Sequence, residues 1–186
     1  MKRAVPLVVL LLCGIIASCS QDKPENPPPK AVCGFIPGWA VARLLGTNRI
    51  ESNLGHQIDL SSNEPHMSCD LKPVGSYDKM VKIKILSTES HDYEIHAKRF
   101  GNKVNFRPNV ELKTLHTRLG DAKIGPWTGG LLFTCHDDKY FMQVKASKGP
   151  HRYKPVRAIV AALSKKFDQE QHCGEDAAPS QPVSSS

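Results

Sequence analysis

Apolar and polar residues alternate most strictly through Val81, Lys82, Ile83, Lys84 and Ile85. A period of two buries one face of a strand and turns the other, here carrying amines, toward water. Ile58 and Leu60 alternate with polar neighbours, and after Pro65 the residues Met67, Cys69 and Leu71 share a face, so 57–72 reads as a hairpin of two strands. Residues 131–135 and 140–145 flank the polar run His136, Asp137, Asp138 and Lys139, which predicts a further hairpin in which Tyr140, Met142 and Val144 lie on one side. Val104 and Phe106 suggest another strand.

Elsewhere the spacing becomes helical. Pro37 opens and Gly46 ends a short amphipathic stretch with Val41, Leu44 and Leu45 on its apolar side. Tyr93, Ala97 and Phe100 predict a second helix between 87 and 101, with Ser87 or Ser90 available as cap and Gly101 as terminator. The best-defined helix starts near Pro155 and carries Val156, Ile159, Val160, Leu163 and Phe167 as a continuous stripe. Between 119 and 130, Gly120, Gly125, Pro126, Gly129 and Gly130 read as a turn-rich connection. Together these elements predict an α+β fold, a mainly antiparallel sheet with helices packed on it.

The two ends of the chain differ from its middle. Lys2 and Arg3 precede an apolar run over 4–17, the charged and hydrophobic parts of a secretory signal peptide, too short to span a bilayer. Ile16, Ala17, Ser18 and Cys19 then match a lipobox, so residues 1–18 are expected to be removed and Cys19 lipidated, leaving the protein on the extracytoplasmic face of a bacterial membrane. Each buried methylene of such an anchor contributes about 0.8 kcal/mol, and two or three chains make it effectively permanent. Residues 19–32 continue as a polar, proline-rich tether, and 174–186 as a disordered tail, leaving 33–173 as the single domain.

Charge narrows the partners. The formal net charge of +7 falls to +5 when residues 1–18 are removed, because Lys2 and Arg3 are their only charged side chains. The remaining charges are scattered without a basic run, which suits anionic headgroups or wall polymers and argues against nucleic acid.

Cys13 leaves with the signal peptide. Cys33, Cys69, Cys135 and Cys173 remain, an even number in an exported chain, and predict two disulfides out of three possible connectivities. Cys33–Cys69 and Cys135–Cys173 join successive elements and close loops of moderate size. A zinc site is the competing reading, but no Cys-x-x-Cys or His-x-x-x-His pair pre-organises one.

A lipobox and proline-rich tether, Cys33 ahead of a helix ending Leu44-Leu45-Gly46, Cys69 on a strand, and a Leu119-Gly120-Asp121-Ala122 turn before a late hairpin and helix resemble a family of actinobacterial lipoproteins known as a domain of unknown function. Cys135, Cys173 and a polar insertion before Cys69 are departures from it. The resemblance implies one extracytoplasmic domain without known catalysis.

Several constellations invite chemistry. Cys135, His136, Asp137 and Asp138 contain the types of a thiol nucleophile and base, but neighbouring strand residues face opposite ways and an exported thiol is usually oxidised. His91, Asp92, Glu94 and His96 hold metal-ligand types, yet His91 and His96 are five apart and a solvated helix face accounts for them. His56, His66, His116, His151 and His172 are dispersed surface or turn positions. Trp127, on a glycine-rich loop, is a core plug in preference to an exposed anchor. No phosphate loop, nucleophile elbow, paired carboxylates or cofactor motif is recognisable.

The leading expectation is therefore a non-catalytic binding module that contacts an envelope protein, wall polymer or small ligand through 120–130, with Trp127 as candidate. A structural role is the alternative, in which Lys82 and Lys84 dock onto an envelope complex. A hydrolase with an unrecognised site stands third.

Overall fold

The computed structural model describes residues 26–52, 57–101, 110–147 and 152–173. The expected signal peptide, Cys19, the strand expected at Val104 and Phe106, and the expected tail lie outside the described residues. A short ribbon of β1 (Ala31–Val32) and β2 (Ile36–Pro37) leads into helix α1 (Gly38–Leu45). Next come β3 (Ile50–Ser52), β4 (Gln57–Asp59), β5 (His66–Pro73), β6 (Val81–Ser87) and α2 (Tyr93–Gly101). The chain continues through β7 (Lys113–Thr117), β8 (Gly120–Ile124), β9 (Thr128–Cys135) and β10 (Asp138–Ala146) to α3 (Tyr153–Gln171).

The fold is α+β with an antiparallel sheet ordered β3-β5-β6-β10-β9-β8-β7, and β4 also pairs with β5. The step from β6 to β10 is the topological surprise, because it seats the last strand in the middle of the sheet. Strands far apart in sequence thus share a register.

The main core lies between one sheet face and helices α1 and α3. Met67, Cys69 and Leu71 of β5, Val81, Ile83 and Ile85 of β6, and Met142 and Val144 of β10 are buried there. The α3 stripe of Val156, Ile159, Val160, Leu163 and Phe167 is fully buried against them. At about 1.5–3 kcal/mol for each such side chain, this stripe amounts to on the order of 10 kcal/mol of transfer free energy. That outweighs a cap, and α3 indeed has no side-chain hydrogen bond at its N-terminus. At one end of the layer Phe133, Tyr140 and Phe167 pack ring against ring at 5.0–5.5 Å. Gly46 ends α1 in the left-handed conformation, as its position in the sequence requires.

The cysteines pair as Cys33–Cys69 and Cys135–Cys173, with Cα separations of 6.5 and 4.9 Å. The first ties the base of the tether to β5, and the second ties the β9–β10 turn to the end of α3.

Two expectations need correction. Residues 119–130 are not a turn-rich connection: β8 and the start of β9 occupy most of them, and the link is closed by Gly125 N–H donating to Thr128 O at 2.7 Å. Gly129 and Gly130 serve packing instead. A Cβ on Gly129 would meet Val156 and Val160 of α3, while one on Gly130 would meet the Met142 carbonyl of β10 and, at 3.0 Å, Phe100 of α2 on the opposite face. The second correction concerns the face of Lys82 and Lys84, which is not simply open to water. Helix α2 lies across it, with Phe100 packed on the fully buried Phe141 at 5.3 Å and Leu86 and Tyr93 beside them.

Candidate functional site

The outer sheet face next to α2 is built by the alternation that makes the core. Because Val81, Ile83 and Ile85 point to α3, Lys82 and Lys84 point away, and in β10 the complements of Met142 and Val144 are Gln143 and Lys145. The register sets Lys145 directly opposite Lys82, and Gln143 opposite Lys84. Like charges so placed destabilise a sheet, which makes the arrangement informative. Helix α2 adds His96 and Arg99 above the strands. These side chains, with Met80 and Ser147, line a cleft of about 400 Å³ with no carboxylate in its wall.

Acids stand only at the margin. Lys82 is 3.4 Å from Asp70, and Lys84 is 3.9 Å from Asp92. Both are partly exposed pairs, so each contributes little to stability. At the floor, Gln143 is 5% exposed and its Nε2 lacks a hydrogen-bond partner. An unmade buried hydrogen bond costs about 1–3 kcal/mol, and native proteins carry few. This amide donor sits among cations, where an acceptor brought by a bound anion would satisfy it.

His96 reports the same field. Its ring lies nearly parallel to Phe141, with centroids 6.3 Å apart. Its pKa is held below the ordinary 6.5, first by burial and then by Lys84, with Arg99 and Lys145 adding and Asp92 opposing. A site that resists a further positive charge is one that a bound anion would relieve. Charge-assisted hydrogen bonds from lysine, arginine and an amide suit a phosphate or carboxylate group.

Sequence reasoning singled out Lys82 and Lys84, and the fold brings them together with Gln143, Lys145, His96 and Arg99. It does not bring Trp127 there. That side chain is half-buried against the main core on the other face, and its carbonyl accepts from Ala146 N–H at 2.7 Å. His91 precedes α2 and projects into solvent, so it shares no helix face with His96. Cys135 is in its disulfide, which leaves no thiol beside His136. Among the described residues no cluster of histidine, cysteine and acid side chains is arranged to hold a metal ion. Also among them, no helix is long and apolar enough to cross a membrane.

Gln143 and Lys145 went unrecognised because the pairing of β6 with β10 has no local signature. The alternation through Tyr140, Met142 and Val144 carried half of the signal, since it fixed which residues face the other way. Trp39 was also passed over. It lies on the outer side of α1, 40% exposed, beside Arg43 and Arg152. Comparison with family models, curated proteins and solved structures found no match to this chain.

Proposed function

We propose that the protein is an envelope-anchored lipoprotein, attached through Cys19, that acts as a non-catalytic binding module for an anionic group. The observation that supports this best is the buried, unpartnered amide of Gln143 in a cleft walled by Lys82, Lys84, Arg99 and Lys145. A cleft of this kind selects charge and hydrogen-bond acceptors rather than apolar bulk. A phosphate- or carboxylate-bearing wall polymer or small ligand fits that chemistry. The paired state of Cys135 supports binding over nucleophilic turnover.

A second reading rests on the exposure of Lys82 at the rim: an acidic segment of an envelope protein docks there, and the module serves assembly. Calorimetric titration of the purified chain separates the two. Inorganic phosphate and polyphosphate bind the wild type and weaken as salt is raised, a neutral glucan does not bind, and charge reversal of Lys82 and Lys84 removes the heat. Phosphate binding that survives both K82E/K84E and Gln143→Leu would refute the cleft as the site. No phosphate binding, together with a stoichiometric protein recovered from solubilised membranes and lost on the same charge reversal, would favour assembly.

A further inference from the structure

The other side of the molecule carries a second surface of different chemistry. Two adjoining hollows of about 540 and 480 Å³ share Trp39, Arg43 and Arg152. Tyr153 and Lys154 line one of them, and neither contains an acidic side chain. Trp39 stands at the centre, 40% exposed, on a helix whose remaining apolar residues are buried. Tyr153 is half-buried, with its hydroxyl donating to Glu111 O at 2.7 Å. An exposed tryptophan beside a half-buried tyrosine, ringed by arginine and lysine, has the composition of a membrane-interface belt.

The path of the chain gives this surface its orientation. Pro28 lines the same hollow as Trp39. The following residue is locked in place, because Gly38 has no side chain and its Cα lies against the Pro29 carbonyl, where any Cβ would overlap it. Gly38 N–H also donates to Lys30 O at 3.4 Å. The N-terminal segment therefore arrives at the Trp39 side of the domain. Cys19 is nine residues before Pro28, a reach of roughly 30 Å at full extension.

We infer that the surface of Trp39, Arg43, Arg152, Tyr153 and Lys154 docks onto the anionic bilayer that holds the lipid anchor. The Trp39 ring enters the headgroup layer, with Tyr153 bracing it from the core side, and the cations meet lipid phosphates. This rests on acylation at Cys19 for its place in the cell but not for its chemistry. Docked this way, the α1 side of the domain faces the membrane. The Lys82–Lys145 cleft, on the far face of the sheet, opens away from it.

The test uses Trp127→Phe, which leaves Trp39 as the chain's one tryptophan. In one arm the native acylated chain is reconstituted into vesicles of phosphatidylcholine, alone or mixed with phosphatidylglycerol. In the other, the chain from Ser20, which includes every described residue, is held to the same vesicles by an N-terminal histidine tag on nickel-chelating lipid. On the anionic vesicles, brominated acyl chains quench Trp39 emission several-fold more strongly than on neutral ones, and aqueous acrylamide quenches it less. R43E/R152E returns both to the neutral-vesicle level while the protein stays vesicle-bound. If Trp39 remains as open to acrylamide as in solution in both arms, the docking surface is wrong. Quenching in the nickel-lipid arm from a chain whose native form fails to float would retain the surface and overturn acylation.

Discussion

Val156 of α3 rests on the backbone of Gly129 in β9, so closely that a Cβ built on the glycine stands 2.7 Å from Val156 Cγ1. Ile124 and Val160 close the remaining space at 3.1 Å. Gly129→Ala is expected to destabilise the fold by about 1–3 kcal/mol, the range for overpacking a filled core. Denaturant titration checks this. Combining it with Val156→Ala should cost less than the two single changes together, because the alanine methyl at 129 partly fills the space the valine leaves while the clash is relieved.

The disulfide between Cys135 and Cys173 closes 38 residues of chain. Replacing both cysteines with alanine removes a constraint on the unfolded state of about 4 kcal/mol. His136 Nε2 still meets Gln171 O at 2.9 Å, so the end of α3 keeps a polar contact with the turn. A lowered unfolding midpoint, with helix content unchanged at room temperature, is the expected result by circular dichroism.

Gln143 offers a case where stability and binding move in opposite directions. Gln143→Leu removes the unsatisfied amide donor at an apolar-sized position and should raise stability by up to about 1–3 kcal/mol. The same change should weaken phosphate binding at least about tenfold, the loss of one charge-assisted hydrogen-bond donor. Thermal melts and calorimetry on one preparation test both halves.

His96 sets a pH dependence. The folded protein resists a proton that the unfolded chain accepts near 6.5, so its contribution to stability is fully present above that value. It is lost as pH falls through the lowered folded pKa. His96→Asn should flatten the stability profile in this window. Proton resonances of the His96 ring should titrate below the ordinary histidine value, and added phosphate should shift that titration upward.

Much of the architecture was legible. The alternation at Val81, Ile83 and Ile85 marked β6, the 3.6-residue stripe marked α3, and the order of elements along the chain paired the cysteines correctly. The misreading at 119–130 came from glycines that look alike in sequence whether they serve a turn or a close approach. At Gly129 the demand came from Val156 of α3, 27 residues away, and at Gly130 from the Met142 carbonyl of β10 together with Phe100 of α2, 30 residues away. The candidate site was half legible, because Lys82 and Lys84 announce a polar face while Lys145 joins them only through a non-local strand pairing.

Under the proposed anchoring at Cys19, the Cys33–Cys69 bridge has a mechanical consequence. Tension arriving along the leash reaches Cys33 and crosses sulfur to sulfur into β5, which pairs with β3, β4 and β6 and lies two strands from the central β10. Beyond the β1–β2 ribbon and the Lys30–Gly38 contact, the chain between the two cysteines is bypassed by that load. Under the proposed anchoring, load is thus passed into the sheet rather than through the turns between the two cysteines.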